Sequence, residues 1–199
     1  IGSTEMLHIF ISNYIDLITP GSSGKPVPGY EVRLMKEDNS EADMNEIGEL
    51  EVKGPTSAIS YWNKPEKTEA TFIGDWVKTG DKYTKDANGI YKYCGRSDDM
   101  MKVSGQYVSP FEIEEALQSH KYVLEAAVVG KKDKDELLKP KAFVVLNDHN
   151  NETNLEKELT EHVKKILTPF KYPRWYEFVT SLPKTATGKI QRYKLRIEK

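Results

Sequence analysis

An α+β fold in two parts is predicted for this 199-residue chain: a mostly-β segment over residues 1–97, then a small α+β domain over residues 98–199. Three observations carry that expectation. Apolar positions alternate with polar ones over Tyr30, Val32 and Leu34 and again over Leu50 and Val52, the period of half-buried strands. Beyond Asp98 the pattern turns to helices and β-branched runs, with Leu155, Leu159, Val163, Ile166 and Leu167 at helical spacing. Between the two lies GRSDDMMKVSGQYVSPFEIE (residues 95–114), which crowds Arg96, Asp98, Asp99, Lys102 and Gly105 into one connection, so the boundary is placed at Asp98.

Composition narrows the function classes. Hydrophobic residues make up 38% and charged residues 30%, a balance that suits a globular core with a solvated surface. A formal net charge of −2 gives no global pull toward nucleic acid or an anionic membrane. Cys94 is the only cysteine, which excludes an internal disulfide and a cysteine metal cluster and is compatible with a reducing cytoplasm. No apolar run approaches the roughly 20 residues of a membrane span. The chain opens Ile-Gly-Ser-Thr-Glu without Met or a leader pattern, so a piece of a longer protein is expected.

In chain order, a polar turn at residues 2–5 leads into an apolar piece at 6–11 that His8 interrupts. A Pro-, Gly- and Ser-rich loop covers 19–29. Its GSSGK is no Walker loop, because the glycines are too close and Pro26 stands where Ser or Thr is needed. Strands are expected at 30–35 and around 50–52, the second after a turn at Glu46, Ile47 and Gly48. A short helical stretch at 66–72 precedes a strand ending in Thr79-Gly80-Asp81. The Asn88-Gly89 pair marks a hairpin whose second strand closes on Tyr91, Lys92 and Tyr93. Ser109, Pro110 and Glu112 spell a helix start, with a capping hydroxyl, a first-turn proline and a capping-box acid. That helix presents Phe111, Ala116 and Leu117 on one side. Strands at 123–129 and 142–146 flank a charged loop at 131–139. Thr153 and Glu156 repeat the capping-box signature before the last long helix, and residues 175–179 read as a final strand.

Four polar groups could carry chemistry, and each has a plainer alternative. Ser3, Thr4 and Glu5 offer hydroxyls for phosphate and a carboxylate for Mg²⁺, or simply a turn cap. Thr79-Gly80-Asp81 ends a strand with an acid able to accept from ribose hydroxyls, or is a plain Gly-Asp turn. Arg96 with Asp98 and Asp99 is a third group, or a charged surface loop. In the fourth, residues 182–192, small hydroxyl residues lead to Gly188-Lys189, a compact cation on a turn; the alternative is a solvated basic tail. His8 in its apolar segment reads most simply as a core residue, and His120, His149 and His162 are too scattered for zinc. No nucleophilic serine elbow or Cys-His arrangement is present.

Taken together, GSTE (2–5), GELEVKG (48–54), TGD (79–81), the 95–114 block and PKTATGKIQR (183–192) resemble the adenylate-forming superfamily in content and order. That superfamily includes acyl-CoA synthetases, non-ribosomal adenylation domains and beetle luciferases. IGSTEMLHIFISN, KVSGQYVSPFEIE, VLEAAVVG and LPKTATGKIQR are most similar to benzoate–CoA ligases. The resemblance implies the β-rich end of a large adenylation domain over 1–97 and a mobile small domain over 98–199. It implies an ATP-dependent ligase that joins an acid, benzoate or another aryl acid, to AMP and then to coenzyme A, with Mg²⁺, in the cytoplasm. Non-aromatic acids, a carrier-protein acceptor and a non-catalytic module are the alternatives. The resemblance allows a homodimer of the complete protein and involves no nucleic acid or membrane span.

Carried over by likeness, Thr4 contacts phosphate, Glu5 binds Mg²⁺, Asp81 and Arg96 hold the ribose and Tyr93 lies near the nucleotide. Asp98 is the hinge. Lys189 meets the α-phosphate and carboxylate during adenylation, whereas Lys102, Ser104 and Gly105 serve thioester formation. Gly2, His8 and Ile9 help line the acyl pocket. One departure is Gln106-Tyr107, where acetyl-CoA synthetases place an arginine, so no phosphate contact is expected from that turn. The family's Gly/Ser/Thr-rich phosphate loop and most of its acyl pocket are absent from the sequence. The 199 residues alone are therefore expected to lack ligase activity.

Overall fold

The computed structural model describes residues 1–147 and 154–196. The chain divides into two compact units, Ile1–Asp98 and Asp99–Lys199. In the first, β1 (Ile11–Ser12) pairs with β2 (Lys25–Pro26). A five-stranded antiparallel sheet follows: β3 (Glu31–Met35), β4 (Gly48–Lys53), β5 (Phe72–Ile73), β6 (Trp76–Lys85) and β7 (Tyr91–Arg96). The ten-residue β6 is its backbone, with β4 along it, β5 at its start and β7 at its end. Leu34, Leu50, Val52, Val77, Tyr83 and Tyr91 form the core with Met6, Phe10 and Ile11, the face that the alternating pattern foresees.

Strict alternation fails at Glu51, which is only 3% exposed. Its cross-strand partner Arg33 explains why: Nη2 and Nε reach Glu51 Oε2 at 2.7 and 2.8 Å, and the guanidinium stacks 4.0 Å over Trp76. A charge leaves water here because a fork of donors replaces it. The helix expected at 66–72 is α1 (Pro65–Thr71); Phe72 has already turned extended and starts β5.

In the second unit, β8 (Met101–Val103) and β9 (Gln106–Val108) make a small hairpin. Ser104 (φ 51°) and Gly105 (φ 81°) supply the two left-handed residues that such a two-residue turn demands. Next comes α2 (Pro110–Gln118), capped where the sequence indicates, since Ser109 Oγ accepts from the Glu112 N–H at 3.2 Å. Its buried stripe is Pro110, Ile113, Glu114 and Leu117 with Ala116, at i, i+3, i+4, i+7 spacing, and Phe111 is only half-buried.

A three-stranded sheet of β10 (Val123–Lys132), β11 (Leu138–Leu146) and β12 (Trp175–Phe178) follows, β12 parallel to β11 and β10 at the other edge. The first two strands run past their apolar segments, so the loop expected at 131–139 shrinks to a turn. Asp133 Oδ1 organises that turn by accepting from the Asp135 and Leu137 N–H groups at 2.9 and 3.0 Å.

The sheet carries cores on both faces. Ala126, Val128, Ala142 and Val144 pack toward the helices, and Ala127, Val129, Phe143 and Val145 toward Leu182 and Ile190. Leu155, Leu159 and Val163 of α3 (Leu155–Ile166) are buried, but Ile166 is half-exposed at 52%, because the last turn rotates past the stripe. Thr153 of the second capping-box signature lies outside the described residues. Asn154 precedes the helix at φ 85° with no side-chain cap bond. A four-residue helix, α4 (Arg192–Leu195), closes the described chain where the sequence reads as a basic tail.

Two predictions follow for stability. Ser109→Ala should lower unfolding free energy by about 1 kcal/mol in urea titration, since it orphans a helix N–H. His162 on α3 sits 2.8 Å from Ser119 Oγ and edge-on to His120 at 4.9 Å. Burial, with His120 and Lys165, outweighs Glu158 and a backbone bond and holds its pKa below 6.5. A base with a depressed folded pKa contributes stability above its unfolded pKa and loses it as pH falls through the folded one. The urea midpoint should therefore drop below about pH 6.5, and His162→Asn should flatten that drop; an identical profile in the variant would remove this account.

Candidate functional site

The chain's polar residues form two groups, one in each unit. In the first, residues 2–9 fold into a tight loop closed by a bridge between Gly2 and Ile9. A side chain at Gly2 would meet the His8 carbonyl oxygen at 2.5 Å, so the crossing requires glycine. His8 is not a core residue. It is exposed, its Nδ1 lies 2.8 Å from the Ile9 carbonyl, and its ring stacks on Tyr30 at 5.9 Å. Ile9 is 52% exposed. The structure thus brings Gly2, His8 and Ile9 together on one small loop.

Ser3 has the plainer of its two roles, its Oγ accepting from the Met6 N–H at 3.2 Å to shape the turn. Thr4 next to it is exposed with no hydrogen bond among the described residues. Glu5 is half-buried, and Tyr61 donates to its Oε1 at 2.5 Å. Burial opposes ionisation of Glu5, but bonds from Tyr61, its own backbone and Ser3, with the Lys67 charge, hold its pKa below the ordinary carboxylate value. A firmly ionised carboxylate fits Mg²⁺, which takes one or two such ligands and completes its shell with water and substrate phosphate. Tyr61 escapes sequence reasoning because 56 residues separate it from Glu5.

Asp81 and Arg96 are register partners on β6 and β7. Arg96 Nη1 donates to Asp81 Oδ1 at 3.3 Å and to the Thr79 carbonyl at 3.1 Å, and Nε faces Asp98 Oδ1 at 3.5 Å. Gly80 makes this possible. Its φ is +73°, and a Cβ there would lie 2.9 Å from Arg96 Nη2. Tyr93, one strand turn earlier, stands edge-on to the buried Tyr83 at 5.4 Å. Together these residues set an acceptor and a fork of donors at the end of a strand pair, a set able to bind vicinal hydroxyls.

In the second unit, Lys102 is exposed on β8 with Nζ 5.5 Å over the ring of its cross-strand partner Tyr107. The adjoining Ser104-Gly105 turn is exposed, and no atom lies within 4 Å of a Cβ built on Gly105. Lys189 sits on a separate loop. That loop is closed by a bridge between Lys184 and Ile190, by Gly188 N–H on the Thr185 carbonyl at 3.0 Å and by Lys189 N–H on Thr185 Oγ1 at 3.1 Å. Thr185 and Thr187 hydroxyls bond each other at 3.0 Å. Gly188 adopts φ +82°. The Lys189 ammonium is exposed and has no ion pair among the described residues, a cation held on an ordered turn with its head free. No cluster of three or more His, Cys, Asp or Glu able to hold a metal occurs among the described residues.

The acidic pair is divided. Asp98 faces Arg96, whereas Asp99 takes Arg192 Nη1 at 3.4 Å and a short contact from Arg196. Arg192 also grips Glu114, with Nη2 on Oε2 at 2.6 Å and Nε on Oε1 at 3.1 Å, while Oε1 accepts from the Val128 N–H at 2.7 Å. Burial raises the Glu114 pKa against the pull of Arg192 and Val128. A glutamate inside an otherwise apolar helical stripe is the sequence signal for such a partner, obscured by the many basic residues of the tail.

Residues 112–189 match the family model of the AMP-binding enzyme C-terminal domain. The chain is 60% identical to benzoate–CoA ligase of Thauera aromatica, with 98% of this chain and 38% of that protein aligned. It is 52% identical to the 4-hydroxybenzoate–CoA/benzoate–CoA ligase of Rhodopseudomonas palustris, over 98% of this chain and 37% of that protein. The crystal structure of the anthranilate CoA ligase AuaEII in complex with anthranoyl-AMP superposes with a TM-score of 0.92 at 50% identity, over 98% of this chain and 38% of that one. The chain spans 38% or less of the length of these two ligases. On the family match, these identities and that superposition, the chain belongs to the adenylate-forming, AMP-binding enzyme family.

Proposed function

We propose that the complete protein activates an aryl carboxylic acid with ATP as an acyl-adenylate and passes the acyl group to coenzyme A. The observation that carries this reading is the Lys189 loop, an exposed ammonium with no ion pair among the described residues, on a hydrogen-bonded turn within a chain 60% identical to a benzoate–CoA ligase. In the first step a carboxylate oxygen bonds to the α-phosphorus as the bond to the bridging oxygen breaks, and pyrophosphate departs. Negative charge accumulates on the α-phosphoryl oxygens and must be met by a fixed cation, the role assigned to Lys189. In the second step the CoA sulfur attacks the acyl carbon and AMP leaves with the electron pair of the broken C–O bond.

The other groups take roles suited to their geometry. Thr4 offers an exposed hydroxyl to a phosphate oxygen, and the ionised Glu5 would hold Mg²⁺. When bound, Mg²⁺ supplies charge neutralisation for the triphosphate. Asp81 accepts from, and Arg96 donates to, the ribose hydroxyls, with Tyr93 beside the nucleotide. Asp98 serves as hinge. Lys102, Ser104 and Gly105 belong to thioester formation, where the open space at Gly105 leaves room for the pantetheine arm. Gly2, His8 and Ile9 contribute to the acyl pocket, the exposed His8 ring and Ile9 side chain offering flat apolar surface. No helix among the described residues is long and apolar enough to cross a membrane. A reaction drawing on ATP and CoA, in a sequence whose single cysteine can form no internal disulfide, suits the cytoplasm.

The test uses the full-length protein and separates the half-reactions. Benzoate and its hydroxylated or aminated analogues should support pyrophosphate release better than aliphatic acids, with free CoA preferred over a phosphopantetheinyl carrier. Lys189→Ala should reduce acyl-adenylate formation by about a hundredfold or more and leave thioester formation from supplied acyl-adenylate largely intact. Equal loss in both steps would refute the assigned role.

A further inference from the structure

We propose that Arg192 is the positioning residue of the Lys189 loop, a guanidinium clamp that fixes the loop's end against Glu114 and Asp99 so that the ammonium meets the α-phosphate. The proposal rests on the ligase reading for its catalytic part only. The chain from Lys184 to Gln191 is a closed loop, pinned at its base by the Lys184–Ile190 bridge and by Gln191 N–H on the Pro183 carbonyl at 2.8 Å. Its entry is tied to β10 by an ion pair from Lys184 to Glu125. Its exit is tied by the Arg192 side chain, which reaches Glu114 and Asp99.

That tie is unusually complete. Nε and Nη2 engage both Glu114 oxygens, and Nη1 turns to Asp99. The three side chains are 18%, 4% and 14% exposed, so solvent screens them little. Glu114 projects from α2 to the open edge of β10, where its Oε1 also satisfies the Val128 N–H. The clamp therefore joins helix, sheet edge and loop at one carboxylate. Leu182 is buried against Ala127, Val129, Phe143 and Val145, with Ile190 and Leu195 partly buried, but residues 184–189 are all exposed and add no apolar packing of their own to set the loop's angle. The fork geometry explains arginine here: a lysine would keep the charge and lose the directional pair.

Two variants of the full-length protein test this, Arg192→Met and Glu114→Gln, the second keeping an acceptor for Val128. In both, site-resolved hydrogen exchange at Gly188, Lys189 and Gln191 should quicken about tenfold, with interior β10 and β11 amides unchanged. Acyl-adenylate formation should fall about a hundredfold, and thioester formation from supplied acyl-adenylate should stay within about twofold. Arg192→Lys should loosen the loop to an intermediate degree. Unchanged exchange in both variants overturns the clamp, and equal loss in the two half-reactions overturns its catalytic purpose. If Arg192→Met unfolds the unit, Glu114→Gln decides by the same criteria. A wild-type protein that activates no acid overturns the ligase reading, and the exchange result still judges the clamp.

Discussion

Glu114 carries a carboxylate to a place where only 4% of its side chain meets solvent, and an unpartnered charge there would cost several kcal/mol. Three donors prevent that: the Val128 N–H at the open edge of β10 and two nitrogens of Arg192. Each donor comes from a different part of the small unit than the helix that bears the acid. The interaction therefore fastens α2 to the sheet edge and fastens the chain's last turn to both. A hydrophobic side chain at this position would pack as well but would leave the edge amide unsatisfied and the loop exit unheld. Specific placement, more than net stability, is what a buried ion pair of this kind supplies.

The first unit solves a similar problem by other means. Its sheet hangs on β6, which pairs with three other strands and has a left-handed glycine in its middle. That glycine clears space for Arg96, and the register sets Arg96 opposite Asp81. The middle of β6 and the end of β7 thus bring a polar pair together while Val77 and Tyr83 on β6 fill the core. Backbone hydrogen bonds fix the position of these side chains more firmly than a loop could.

Features written into short stretches were legible in the sequence. The Ser109 cap, the Pro110 start, the alternation of β3 and the Leu155-Leu159-Val163 stripe depend on neighbours within a few residues, and the structure has each of them. What escaped depends on distant partners or on very short elements. Glu51 breaks the alternation because Arg33 and Trp76 wait across the sheet. The α2 face is centred on Ile113 and Glu114 instead of Phe111, because a residue 78 positions away neutralises the glutamate. His8 lies in an apolar segment yet faces out, since the bridge from Gly2 to Ile9 turns its backbone over. β5 and α4, two and four residues long, have no periodicity to read. Among the site residues, Asp81 and Arg96 are brought side by side, and Gly2, His8 and Ile9 share one loop, while Lys102 on β8 and Lys189 on its loop occupy separate elements of their own unit.

The divided allegiance of the neighbouring acids keeps charge compensation local. Asp98 answers to an arginine two residues before it, and Asp99 to arginines far along the chain within its own half. Each carboxylate is thus balanced inside the compact unit to which its residue belongs, and a substitution at one acid leaves the cations of the other in place.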